Sequence, residues 1–284
     1  MEDPGLPARV WGRAARTARR AAKYAAHVGR GRPGEAALLF VLGCQRSGTN
    51  MFLAVLEASG EAWTYNEDNP RAFRDFRLLD LDRIAALVDR SRFRCVAFKA
   101  LCDSQHADRM LERFPAGKVV WPVRDYHAVA ASAVRKWGEW QREMIRRLAR
   151  DDGWDHWIAE RVPPTRRELV REVFARDLSV NSAAALKWWL RNELFFDRGL
   201  DRTPDRALLV RYEDLVAEPE ARFGEVFAFL GLRFEPGLVR NVAADPRPDE
   251  SLPDLDGRVR ELCDGLAGRL DRALEERRPR SAAL

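Results

Sequence analysis

Short apolar segments alternate along the chain with stretches whose apolar residues recur every three or four positions. The densest segment, Leu38-Leu39-Phe40-Val41-Leu42, holds no polar residue, which is how a strand buried on both faces of a parallel sheet reads. Further strands are expected at Ala62–Tyr65, Arg94–Lys99, Lys118–Val123 and Ala207–Arg211. Between them, helical spacing covers Met51–Leu56, Leu78–Val88, Ser104–Phe114, 181–196, 221–230 and 255–277. Asp125 is placed to cap a helix running through Trp137, and 139–176 reads as charged, tryptophan-bearing helices. Strand alternating with helix predicts an α/β domain, a mostly parallel central sheet flanked by helices and joined by right-handed crossovers.

That topology gathers the strand C-termini along one edge, where ligands of open α/β sheets bind. Gly43–Thr49, Glu67, Lys99, Arg124 and Tyr212 all fall just after a strand. The loop Gly43-Cys44-Gln45-Arg46-Ser47-Gly48 lies between the central strand and a helix opened by Thr49-Asn50. Backbone amides and a helix N-terminus converging there make an anion site. A nucleotide-triphosphate loop would read G-x-x-x-x-G-K-[ST], with lysine on the β/γ-phosphates and a hydroxyl on magnesium. Here the glycine spacing is kept, Thr49 and Asn50 stand in the last two places, and the cation sits earlier, at Arg46.

Composition narrows the picture without changing it. A chain of 284 residues, 46% hydrophobic and 33% charged, describes one globular domain. No apolar run approaches a membrane span and no secretory signal is legible, so a cytoplasmic location is expected. Cys44, Cys95, Cys102 and Cys263 form no metal-ligand spacing and read as free thiols, and no metal is expected. The net charge of +5 is concentrated at the start, where residues 1–32 hold seven Arg and one Lys against Glu2 and Asp3. A basic arm on a near-neutral domain is no argument for nucleic-acid binding. Residues 1–34 are accordingly read as a basic helical arm and linker, 35–284 as the domain, and 137–181 as a helical insertion on the substrate side. The helix over 8–28 has few large apolar residues and is expected to be solvated or frayed, with a weak membrane-surface or partner contact as the alternative.

The loop Arg46-Ser47-Gly48-Thr49-Asn50 resembles the 5′-phosphosulfate loop of sulfotransferases that use 3′-phosphoadenosine 5′-phosphosulfate (PAPS). A second match is Arg124 closing a strand with Ser132 eight residues on, the spacing with which that family binds the 3′-phosphate. A third is Arg211-Tyr212-Glu213-Asp214-Leu215 with its succeeding helix, and the likeness covers roughly residues 38–232. The resemblance implies a three-layer P-loop-like fold and PAPS as co-substrate, held by Gln45, Arg46, Ser47, Gly48, Thr49, Asn50, Arg124, Ser132 and Tyr212. The Lys-Gly-x-x-Gly loop that cytosolic members carry near the C-terminus is not evident.

For catalysis the resemblance implies Arg46 and Lys99 as cations facing the transferred group. Cytosolic members place a His base two residues after that lysine; here the position is Leu101. Glycan sulfotransferases and many bacterial relatives use instead a Glu after the second strand, the place of Glu67, with Asp68, Asp103 and His106 as other candidates. The expected activity is sulfuryl transfer to a hydroxyl or amine of a carbohydrate, lipid or small metabolite. A P-loop kinase-like phosphotransferase and a non-catalytic nucleotide-binding scaffold are the competing readings. Six of the nine tryptophans lie between 137 and 189, as an acceptor pocket or as core; nine Arg against eight acids in 139–176 give no polyanion groove.

Overall fold

The computed structural model describes residues 18–27, 36–150, 156–243 and 254–277. The rest of the basic arm, its linker, Trp154 and the end of the chain lie outside the described residues. The strands are β1 (Ala37–Val41), β2 (Ala62–Tyr65), the two-residue β3 (Phe73–Arg74) and β4 (Arg77–Leu78), β5 (Cys95–Lys99), β6 (Lys118–Val123) and β7 (Ala207–Arg211). Five of them form one wholly parallel sheet in the order β2-β5-β1-β6-β7, and β3 pairs antiparallel with β4. The expected α/β architecture and all five expected sheet strands are present.

Side chains of β1 alternate across the sheet, as the two-residue period of a strand requires. Leu38 and Phe40 enter one core with Val96, Phe98 and Trp121, while Leu39 and Val41 enter the other with Phe52, Val120 and Phe227. Both faces are covered by helices, so every position of β1 is apolar. Helix α1 spans 18–27, and α2 (Thr49–Ala58), α3 (Leu81–Asp89) and α4 (Ala107–Arg113) come after it. Next are α5 (Tyr126–Trp137), α6 (Trp140–Arg150), α7 (Pro164–Phe174) and α8 (Val180–Asp197), then α9 (Tyr212–Ala217), α10 (Pro219–Leu230) and α11 (Gly257–Glu275). The Asp125 carboxylate caps α5 by accepting from Ala128 N, as its sequence position predicts. A helix is expected from Ser104; instead a 3₁₀ turn, Leu101–His106, comes first, and the α-helix starts at Ala107.

Helix α1 is mostly exposed, as expected of a solvated helical arm, but one face is docked on the domain. Arg20 makes a 2.5 Å ion pair with Glu57 and donates to the Thr64 carbonyl at 2.9 Å, while Lys23 donates to the Glu57 carbonyl at 2.6 Å. Tyr24 packs edge-on to Trp63 at 5.8 Å and the His27 ring lies 4.3 Å from that of Phe93. The basic side chains dock the helix through acids and carbonyls of α2 and β2, which its thin apolar face would not do.

Register places the functional edge. Val41 pairs with Lys99, Tyr65 with Phe98, and Val123 with Arg211. The residues after these strands therefore leave the sheet at one level, and the loop after Val41 begins beside Lys99.

Candidate active site

The loop from Gly43 to Gly48 is held at its root by the Leu101–His106 turn: Gly43 N donates to Ser104 Oγ at 2.9 Å, and Ser104 Oγ donates to the Leu101 carbonyl. Arg46 has φ of 74°, a left-handed backbone that costs an ordinary residue about 1 kcal/mol. Such local strain is characteristic of sites where the backbone must present its amides in a fixed direction. Gly48 also has positive φ, 77°, and lies against the ring of Tyr212. Ser47 is fully buried and its hydroxyl has no hydrogen-bond partner among the described residues.

Arg124 leaves β6 beside this loop. Its guanidinium lies 4.4 Å over the Tyr212 ring and reaches the Arg46 carbonyl at 3.5 Å, while its Nε is buried without a partner among the described residues. Trp188 Nε1 donates to the Arg124 carbonyl at 3.0 Å and holds the backbone there. Ser132, two turns along α5, accepts a 2.9 Å hydrogen bond from Arg46 Nε. The two residues expected at opposite phosphates of the nucleotide thus meet directly in the free chain. Tyr212 opens α9 and serves as the platform on which Gly48 and Arg124 both rest.

On the other side of the loop, Lys99 is 6% exposed at the end of β5. Its Nζ donates to Asn50 Oδ1 at 2.6 Å and pairs with Glu67 Oε2 at 3.1 Å. The Leu101 backbone N–H donates to Glu67 Oε1 at 3.1 Å. Burial pushes the Glu67 carboxyl above the usual range, opposed by the Lys99 charge and the two hydrogen bonds. A buried carboxylate with a raised pKa, paired with an ammonium at a loop built for anions, has the character of a proton acceptor.

The other candidate bases are occupied elsewhere. Arg77 Nε donates to Asp103 Oδ1 and Leu78 N to Oδ2, each at 2.7 Å, so both carboxylate oxygens fasten the β3–β4 hairpin. His106 Nε2 lies 2.9 Å from Glu160, which also receives Arg77 and Gln105. Asp68 is engaged by Asn66 Nδ2 at 3.0 Å. Gln45 reaches Cys102 Sγ at 3.8 Å, and its Oε1 is buried without a partner among the described residues; Thr49 is buried at the start of α2. The four cysteines are free and buried, and no group of metal-ligating side chains occurs among the described residues.

Sequence reasoning missed Lys187. It lies on α8, is 3% exposed, and its ammonium has the rings of Trp137, Trp140 and Trp157 at 5.0, 5.7 and 5.9 Å. Trp188 and Trp189 are core, but these three tryptophans gather around one cation behind the loop. Helix α8 is buried on all sides, so no amphipathic pattern marks Lys187 as unusual. Burial lowers its pKa from 10.5 to about 8, with Arg191 adding to the effect. Below pH 8 the folded chain bears the full cost of this charge; between 8 and 10.5 it gives up the proton before the unfolded chain does, and the cost fades. Lys187→Met is therefore expected to raise the unfolding free energy by about 1–3 kcal/mol near pH 6.5, the tryptophan faces offsetting part of the burial penalty. Urea unfolding should show that gain shrinking at about pH 9.5; a gain independent of pH would mean that the amine titrates alike in the folded and unfolded chains and that burial does not lower its pKa.

No helix among the described residues is long and apolar enough to cross a membrane. Among curated proteins none matches the sequence. Of solved structures, the sulfotransferase domain from the curacin biosynthetic pathway is similar at 15% identity and a TM-score of 0.52, covering 84% of this chain and 99% of that one. A sulfotransferase from Alicyclobacillus acidocaldarius is 18% identical with a TM-score of 0.49, covering 84% and 94%. The sulfotransferase domain family matches residues 38–247, a span that contains the loop, Glu67, Lys99, Arg124, Ser132 and Tyr212. The chain belongs to the sulfotransferase family.

Proposed function

We propose that the chain transfers a sulfuryl group from PAPS to a hydroxyl or amine of a carbohydrate, lipid or small metabolite. The observation that carries this reading is Lys99, which touches both Glu67, the candidate base, and Asn50, the last residue of the anion loop. Two buried groups with unused hydrogen-bonding capacity, Ser47 Oγ and Arg124 Nε, lie on the same edge and fit a ligand bearing phosphates. A kinase reading puts its phosphate cation at position 49, where a buried, neutral Thr49 stands.

When bound, PAPS supplies a sulfuryl group on a phosphate leaving group. Arg124 and Ser132 hold the 3′-phosphate, with Tyr212 fixing the Arg124 guanidinium from below. The loop amides from Gln45 to Asn50 and the Arg46 side chain face the 5′ end. Glu67 takes the proton from the acceptor hydroxyl, and Lys99 and Arg46 offset the negative charge that grows on the leaving oxygen, the largest catalytic contribution open to such a site. Lys99 also pulls the Glu67 pKa back down against its burial.

Calorimetry with adenosine 3′,5′-bisphosphate (PAP), without metal and beside Mg-ATP, tests the reading. Tight binding of the bisphosphate and none of ATP is expected. Arg124→Ala should weaken PAP about 10- to 100-fold, the range for losing a charged hydrogen bond. Preference for Mg-ATP, or PAP affinity unmoved by Arg124→Ala, would overturn the assignment.

A further inference from the structure

A groove of about 740 Å³ meets the nucleotide residues only at Asn50. It runs along α2 on the face made by Asn50, Leu53, Ala54, Glu57 and Ala58, spaced as one side of a helix. One wall is α1, through Arg19, Arg20 and Lys23; the other is the turn Pro236–Val239 with its flanking residues Glu235 and Arg240. The size is that of a small-molecule site.

Two features tie the groove to the chemistry. Its inner end is formed by Asn50 and Asn66. Asn50 accepts from Lys99, and Asn66 directly precedes Glu67, so the groove ends where the proton acceptor and the sulfuryl-facing cation meet. From there α2 leads away for eight residues, or about 12 Å. The second feature is charge. Four cations line the groove against two carboxylates, and Glu57 is neutralised by Arg20 at 2.5 Å. Arg240 is exposed and makes no hydrogen bond or ion pair among the described residues. The wall is built rather than loosely apposed, since Arg20, Lys23, Tyr24 and His27 all anchor α1 to the domain. Burial lowers Lys23 to about 8, a penalty that an anion seated beside it would reverse.

We propose that this groove seats the acceptor and selects one carrying a carboxylate or phosphate beside its reactive hydroxyl, with the basic helix as the selecting wall. The assignment rests on the sulfotransfer reading above. It gives the basic helix a part in substrate choice and predicts a small anionic acceptor, which the balanced charges of 139–176 do not suggest.

The probes are two matched pairs, glucose with glucose 6-phosphate and methyl glucoside with methyl glucuronide. Each is titrated by saturation-transfer NMR against the full chain with PAP bound. At least one anionic probe should bind about tenfold tighter than its neutral partner, with the advantage falling as salt screens the groove. The two pairs separate phosphate from carboxylate recognition. Arg240→Glu should cut the anionic-over-neutral preference about tenfold and Arg240→Lys should keep it, the residue being exposed and outside both cores. Equal binding within both pairs, no binding of either anionic probe, or a preference unmoved by Arg240→Glu overturns the groove assignment while PAP binding persists. Failure to bind PAP at all strikes the sulfotransfer reading instead.

Discussion

Lys99→Met is expected to lower turnover about 100- to 1,000-fold, the cost of removing one donor aimed at developing charge, while PAP affinity changes far less. The substitution acts twice. It removes an ammonium that is held between Asn50 and Glu67 by contacts of 2.6 and 3.1 Å, and so is already oriented before substrate arrives. It also leaves Glu67 buried without its counter-charge. That carboxyl is raised above its ordinary value by burial, and Lys99 is the largest influence pulling it back. Without Lys99 its pKa rises further, so a larger fraction is protonated at neutral pH and cannot accept the acceptor's proton. The acid limb of the kcat/KM profile should therefore move to higher pH in the variant. Turnover of a PAPS-dependent acceptor across about pH 5–9 reads this directly. A fall in rate with no movement of the limb would leave Lys99 as a charge stabiliser and remove Glu67 from the role of base.

Gly48→Ala should be the most damaging Gly→Ala change among the described residues. A Cβ at Gly48 would stand 2.3 Å from Tyr212 Cδ2 and 2.8 Å from Cε2, distances that real side chains do not adopt. The backbone there is left-handed, so alanine adds about 1 kcal/mol of its own. Relief requires the Tyr212 ring to move, and that ring carries the Arg124 guanidinium at 4.4 Å. The expected loss of PAP affinity is about 100-fold, comparable with losing the Arg124 contact itself. Adding Tyr212→Ala should restore the melting temperature of Gly48→Ala but not its affinity, because the clash is gone and so is the platform. A double-mutant cycle separates the two contributions. Wild-type affinity in Gly48→Ala would show that Tyr212 does not position Arg124.

The sheet and the position of its functional edge could be read because the signals are local. Five apolar residues in a row mark β1, and Asp125 caps α5 within three residues of itself. Strand ends alone place the loop residues, Lys99 and Glu67 on one edge; their roles rest on the resemblance. The features that escaped reading depend on partners remote in sequence. Arg20 and Lys23 look like a solvated basic face until Glu57 and Thr64 are brought beneath them. Asp103 reads as a free candidate base because Arg77 and the backbone of Leu78 lie on a hairpin whose strands are two residues long and carry charge. The contact of Arg46 with Ser132, and the tryptophans around Lys187, likewise join segments separated by most of a βαβ unit or more.

The strand order β2-β5-β1-β6-β7 has a consequence for how the chain reaches this structure. The central strand makes no pairing with its neighbours in sequence: Ala37 waits for Cys95, and Leu39 for Lys118. Contacts closed over such loops form slowly, since chain entropy is lost before any pairing is gained. During synthesis the most hydrophobic segment of the protein therefore emerges long before either partner strand exists. Until Lys99 has left the ribosome, β1 is an unpaired apolar strand, the segment most in need of chaperone cover and the first place where aggregation of a slowed variant would begin.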